Sequence, residues 1–186
     1  TLLAVCRITP FVVTLGTMGI VRGLAKYLAH EQKVDAPPSW LAMVMTKSPG
    51  KEWLFIAPGL WLTLALAILM AFVLRNTVFG IHVFAIGSNE STARLSGLRI
   101  SRIKTTVYTI SGVFAAIAGV MQFARLTVGD PTTALGKELD VIAAVVIGGA
   151  SLSGGRGSLL GSMVGALLMA SLANGCTLMG VPNYVQ

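Results

Sequence analysis

The side chains of this sequence that can do covalent chemistry are few and scattered. Cys6 and Cys176 lie far apart, in or beside apolar runs, and no CxxC or Cys/His cluster accompanies them. Neither a metal site nor a redox pair is expected from them, and both read as small buried apolar side chains. His30 and His82 are isolated from one another and are expected in loops. No GxSxG, HExxH or paired-carboxylate signature occurs, and no nucleophile has a base beside it, so no catalytic residues, no metal and no cofactor are expected. The stretch GGRGS at 154–158 is not a phosphate loop: it lacks GxxxxGK[ST] and does not follow the strand of a soluble sheet. Asn89-Glu90-Ser91 fits the glycosylation pattern, a match common by chance.

Two stretches hold the residues of special use. The first lies within 75–104, where Arg75, Arg94, Arg99, Arg102 and Lys104 face a single acid, Glu90. Asn89 or Ser91 can cap a short helix through Thr92, Ala93, Arg94 and Leu95, stopped at Gly97. Leu95 and Leu98 offer apolar contacts there, and Arg94 a charged one. The second is the glycine-rich stretch holding Gly148, Gly149, Ser151, Gly154, Gly155 and Gly157. Glycine lets backbone turn tightly or approach another backbone closely.

The elements that must position these stretches are apolar. Of the 186 residues, 54% are hydrophobic and only 11% charged, with a mean hydropathy of +0.79. A soluble domain has about 25% charged residues, so this chain cannot cover its surface with polar groups, and lipid is its natural solvent. The net charge of +7 comes from basic residues set between apolar runs, not from an aromatic-interleaved patch. Nucleic acid is therefore not an expected partner, whereas loops at a cytoplasmic membrane face are.

Four runs of about twenty residues suffice to span hydrocarbon as helices: about 9–29, 53–74, 105–124 and 158–178. Pro10 sits in the first turn of the first, where a missing N–H does no harm, while Pro58-Gly59 is expected to kink the second. Gly112, Ala115, Ala116 and Gly119 make a narrow stripe on the third, and Gly157, Gly161 and Gly165 recur every four residues at the start of the last; Gly112, Gly119, Gly161 and Gly165 are expected at helix–helix contacts. The run 139–150 is too short for a clean span and reads as a broken or re-entrant helix. A short apolar piece at 40–45, anchored by Trp40, reads as an interfacial helix. The basic excess of 75–104 marks it as cytoplasmic, although Arg22 and Lys26 then lie at the outer end of the first span. The expected fold is thus all-α and polytopic, with four long transmembrane helices and a short broken one. Acids are missing from the middles of the long spans, and Glu138 and Asp140 sit at the edge of the short run. A carrier coupled to protons or sodium commonly places such groups inside the membrane.

Four stretches, in order, resemble one family: 9–25 (TPFVVTLGTMGIVRGLA), 83–100 (VFAIGSNESTARLSGLRI), 107–120 (VYTISGVFAAIAGV) and 138–168 (ELDVIAAVVIGGASLSGGRGSLLGSMVGALL). They are similar to the membrane subunits of bacterial ABC importers for monosaccharides, the ribose-type permeases, which are related to the branched-chain amino-acid permeases. The resemblance implies a multi-pass permease of the bacterial inner (plasma) membrane, without ATPase activity of its own. Its implied partners are an ABC ATPase subunit, a periplasmic sugar-binding protein, a second permease copy and the lipid bilayer. It further implies that Gly87, Asn89, Glu90, Ala93, Arg94, Leu95, Ser96 and Gly97 belong to a cytoplasmic loop that docks on the ATPase. Gly148, Gly149, Ser151, Gly154, Gly155 and Gly157 match the family's glycine-rich broken segment near the translocation path. Thr1 is not an initiator Met and both ends look cut; the family carries further spans before the first stretch and one after the last. Two alternatives stand beside this expectation: an amino-acid permease of the same family, and a secondary carrier or channel.

Overall fold

The computed structural model describes residues 10–35, 37, 58–132 and 134–180. Its elements are α1 (Pro10–Leu28), β1 (Val34–Asp35), α2 (Pro58–Asn76), α3 (Val78–Ser88), α4 (Glu90–Leu95), α5 (Ile100–Leu126), β2 (Val128–Gly129), α6 (Lys137–Ile147) and α7 (Leu159–Leu178). Among the described residues, three helices are long and apolar enough to cross a membrane: α2 from Gly59, α5 and α7. Only 6% of the most apolar stretch of each is buried within the chain, so side chains such as Ile68, Phe72, Leu160 and Leu167 face outward. Such faces need lipid or other apolar surface against them, and the chain is an all-α polytopic membrane protein. Against four expected long spans, three helices meet the length and composition of one; α1 is helical over 19 residues but is not among them, and it carries Arg22 and Lys26 in its last two turns.

The chain divides into two compact units, Thr1–Ala65 with Ser101–Thr133, and Leu66–Ile100 with Ala134–Gln186. In the first, α1 ends in a turn where Glu31 N–H donates to the Lys26 carbonyl at 3.0 Å, with His30 and Glu31 both at positive φ. The chain then enters β1, which pairs antiparallel with β2 in the register Val34 to Gly129 and Asp35 to Val128. Two residues per strand make a weak ribbon, and polar contacts beside it add support. Lys33 Nζ lies 3.2 Å from Asp130 Oδ2, while Asp130 Oδ1 accepts from the Thr132 hydroxyl at 2.6 Å and the Thr132 N–H at 2.8 Å. The hydroxyl, the N–H and the Lys33 ammonium together hold the Asp130 carboxyl below its ordinary value, against a smaller opposing effect of desolvation.

In the second unit, α2 turns into α3 at Thr77. The Thr77 hydroxyl donates to the Val73 carbonyl at 2.6 Å and also caps α3 by accepting from Gly80 N–H at 3.4 Å. A side chain at Gly80 would run into the Leu74 carbonyl, so the junction of α2 and α3 requires glycine there. The two remaining helices, α6 and α7, form a close hairpin.

Several expectations need correcting. The segment 75–104 is helical over most of its length rather than a loop with one short turn: α3 occupies Val78–Ser88, and His82 lies within it, not in a loop. Its sequence, VFGIHVFAIGS, is rich in β-branched residues and glycine, which have modest helix propensity, so tertiary context wins. α5 begins at Ile100, ahead of the expected 105, because Arg102 and Lys104 are good helix formers that extend the helix beyond its apolar part. α2 is described from Pro58 onward, and the residues before it, on which the expected kink at Pro58-Gly59 depends, lie outside the described residues. The start of that span at Trp53, the interfacial piece at 40–45 and Cys6 lie outside the described residues.

Candidate functional site

The second unit brings together the two stretches singled out by sequence. Asn89 is extended, with φ −155° and ψ 104°, and is the single residue separating α3 from α4. Its N–H closes α3 on the Ala85 carbonyl at 3.1 Å, and its Oδ1 opens α4 by accepting from Thr92 N–H at 3.0 Å and from the Ser91 hydroxyl at 2.6 Å. Of the two capping residues considered, Asn89 is the cap. Glu90 favours the positive end of the α4 dipole and lies 3.4 Å from Arg94, an exposed pair of small energetic weight.

α4 then stops sharply. Gly97 takes φ +81°, its N–H donates to the Arg94 carbonyl at 3.1 Å, and Leu98 N–H reaches back to the Ala93 carbonyl at 3.2 Å. These two bonds and the left-handed glycine form a Schellman motif. Ala93 is buried at 5% exposure, Ser96 is exposed, and Leu95 is 90% exposed. α4 thus presents Leu95 and Arg94 outward from a helix fixed at both ends.

The glycine-rich stretch repeats this device at the end of α6. Gly149 has φ +86°, its N–H donates to the Val146 carbonyl at 2.9 Å, and Ala150 N–H donates to the Val145 carbonyl at 3.1 Å. The following turn is closed by Ser151 N–H to the Arg156 carbonyl and Gly154 N–H to the Ser151 carbonyl, both at 3.0 Å, with the Ser151 and Ser153 hydroxyls 2.7 Å apart. Ser158 caps α7, accepting from Gly161 N–H at 3.0 Å. The break between α6 and α7 is therefore an ordered turn.

Three glycines let α6 and α7 meet backbone to backbone. A Cβ on Gly148 would strike the Gly161 carbonyl, one on Gly161 the Gly148 carbonyl, and one on Gly165 the Ala144 carbonyl. Gly157 lies just before the α7 cap, where an added Cβ would be 3.1 Å from the Ala150 Cβ. Gly112 and Gly119 differ: both are exposed, and a Cβ there would meet nothing within 4 Å. Their expected helix contact is not made among the described residues.

The two stretches touch at Gly87 and Ser88, the last residues of α3. A Cβ on Gly87 would lie 2.6 Å from Gly155 N, and one on Gly154 would lie 2.7 Å from the Gly87 carbonyl oxygen. Gly154 and Gly155 sit at φ +92° and +74°, where side chains are strained in any case. Sequence reasoning named Gly87, Gly154 and Gly155 separately but did not join them, and it missed Ser88, Ala144, Thr77 and Gly80. Backbone-to-backbone packing leaves no complementary side-chain pattern from which to infer a pairing. Among the described residues no group of three or more His, Cys, Asp or Glu side chains is placed to hold a metal. The site offers fixed backbone geometry and an exposed helical turn.

Comparison with known proteins identifies a context for this geometry. The family described as "Branched-chain amino acid transport system / permease component" matches residues 1–186. The chain is 38% identical over 185 residues to the L-arabinose ABC transporter permease protein AraH of Azospirillum brasilense, covering 100% of this chain and 53% of that protein. It is 36% identical over 181 residues to the ribose import permease protein RbsC of Bacillus subtilis (strain 168), covering 97% and 55%. The probable ABC transporter permease protein YphD of Escherichia coli (strain K12) is 36% identical over 186 residues, covering 98% and 54%. The chain spans about half the length of the curated relatives it matches. No solved structure matches it.

Proposed function

Because the chain belongs to the branched-chain amino acid transport system / permease component family, we propose that it forms part of the membrane-spanning permease of an ATP-binding-cassette importer for a monosaccharide, in a bacterial inner membrane. Support comes from relatives named for ribose and L-arabinose and from three outward-facing apolar helices. In this role α1 is a fourth span, and the protein works with an ATPase subunit, a periplasmic sugar-binding protein and a second copy of itself. It hydrolyses nothing; energy reaches it from the ATPase. Residues 87–97 form the coupling segment, of which the exposed helix α4 docks on that ATPase at the cytoplasmic face, and residues 148–157 lie beside the translocation path.

The observation that carries the docking role is the exposure of Leu95 on a six-residue helix capped at both ends. Capping fixes the geometry of a surface whose largest apolar side chain is left uncovered among the described residues. Leu95→Asp would place an unpaired charge in a dry contact, at about 3–5 kcal/mol. The full-length protein carrying Leu95→Asp is expected to lose both co-purification of the ATPase subunit and sugar uptake at equal membrane abundance. Survival of both would remove the docking role. The ribbon β1–β2 sets the end of α1 beside the end of α5; with 75–104 cytoplasmic, Arg22 and Lys26 then fall near the outer face, against the usual charge bias. The family's description favours a second substrate class, branched-chain amino acids. Uptake of labelled ribose or arabinose set against labelled leucine, with the ATPase and binding protein present, separates the two.

A further inference from the structure

Where α3 meets the turn 151–157, Gly87, Gly154 and Gly155 bring backbone against backbone, and this gives the contact a mechanical property. A Cβ on Gly155 would lie 2.7 Å from Ser88 Cα and 2.9 Å from Ser88 Cβ, in addition to the contacts of Gly87 and Gly154 given above. Side-chain packing can absorb a small displacement by rotamer changes, but apposed backbones have no such slack and must move together or part. Stiff segments lie on both sides. Toward α4, only Asn89 is non-helical, and it is held by its own N–H and by the two bonds to its Oδ1. Toward α7, the turn is cross-bonded and runs into a capped helix that is itself locked against α6 through Gly148, Gly161 and Gly165.

Resting on the docking role of α4 proposed above, we propose that Gly87, Gly154 and Gly155 form a rigid transmission joint. Through it, α3–α4 and the α6–α7 hairpin move as one body, and a push on α4 is delivered undiminished to the glycine-rich break between α6 and α7. The three glycines are positioning residues: they touch neither nucleotide nor cargo.

The test compares Gly87→Ala with Gly175→Ala in the full-length protein. Both substitutions put a methyl on a helical glycine, but Gly175 has nothing within 4 Å while Gly87 has the Gly155 nitrogen. For Gly87→Ala the ATPase subunit is expected to stay bound and to hydrolyse ATP, while uptake falls by about tenfold, within the range by which mutations between sites change coupling. Gly175→Ala should match wild type in all three measurements. Unchanged uptake in Gly87→Ala overturns the joint and leaves the docking role standing. Loss of ATPase binding together with uptake also overturns it, because Gly87 would then belong to the docking surface itself. A wild-type protein that binds no ATPase subunit removes the docking role and the joint with it. A measurement without glycine substitutions guards against misfolding: spin labels at Ser91 and Leu152 should keep one separation with and without ATP. A change beyond the about 1–2 Å translations of ordinary helix shifts overturns rigidity.

Discussion

Replacing Gly165 by alanine should destabilise the protein, whereas the same replacement at Gly175, ten residues further along the same helix, should stabilise it. Alanine in a helix interior is favoured over glycine by about 0.5–1 kcal/mol when there is room for the methyl. Gly175 has room, since beyond its own helical turn no described residue would come within 4 Å of an added Cβ. At Gly165 the methyl would sit 2.9 Å from the Ala144 carbonyl carbon and 3.0 Å from Gly148 N, and closer still to the Ala144 oxygen. Restoring an ordinary 3.4 Å to the carbonyl carbon alone requires α6 and α7 to part by about 0.5 Å. The obstacle is backbone, so no rotamer change relieves it, and overpacking of this kind costs about 1–3 kcal/mol. After the helix-propensity gain, Gly165→Ala is left destabilised by about 0.5–2 kcal/mol, a fall of about 2–6 °C in unfolding midpoint, while Gly175→Ala rises by about 1–3 °C. Thermal unfolding of the purified full-length protein in detergent, followed by intrinsic fluorescence, reads both signs. If Gly165→Ala melts at or above wild type, the backbone contact between α6 and α7 does not exist as described.

Three further outcomes follow from other parts of the chain. Asn89→Ala should fray α4, because it removes the oxygen that caps Thr92 N–H, at about 1 kcal/mol; amide exchange at Thr92 and Ala93 should speed up, and Asn89→Asp should restore protection. Asp130 titrates below its ordinary value of 3.8, so its contribution to the β1–β2 ribbon is fully present above that pH and is lost as pH falls below it. Spin labels at Val34 and Val128 should accordingly show a narrow distance at neutral pH that broadens in acid, and Asp130→Ala should be broad already at pH 7; equal widths at all pH values would show that the carboxylate does not hold the ribbon. Single cysteines at Ser91 and Thr132 of the full-length protein should label from opposite sides of the membrane in intact cells, and labelling of Ser91 from outside would reverse the orientation given to 75–104.

What could be read from the sequence, and what could not, divides along a physical line. Apolar runs of spanning length are set by the cost of placing polar groups in lipid, a local property of composition, and α2, α5 and α7 lie where those runs do. Caps are local too: Asn89 lies three residues before the Thr92 N–H that it accepts, and Gly97 provides the left-handed residue that ends α4. The i, i+4 spacing of Gly161 and Gly165 marks the α7 face that meets α6, but the identical logic applied to Gly112 and Gly119 finds no neighbour among the described residues. Spacing says which face can be approached, not what approaches it. The ribbon pairs Val34 with Gly129, 95 positions further along the sequence, and two residues per strand carry no alternation to betray it. The contact of Gly87 with Gly154 and Gly155 is similarly silent, since glycines joined by backbone announce close approach without naming the partner.

The length of α5 has a consequence for the surrounding lipid. At about 1.5 Å per residue its 27 residues extend about 40 Å, whereas α2 and α7, with 19 and 20, extend about 30 Å. Hydrocarbon about 30 Å thick matches the shorter pair and leaves α5 with about 10 Å to place, either by leaning over or by carrying its first turns out among the headgroups. Arg102 and Lys104 favour the second, since upright placement keeps both charges wet. A thicker bilayer would then cost α5 little, because its emergent turns can be drawn inward, and the mismatch would fall on α7, which is capped at Ser158 and Met179 and has no spare length. Between α5 and α7, the shorter helix is the one whose length limits the membrane thickness at which both stay matched.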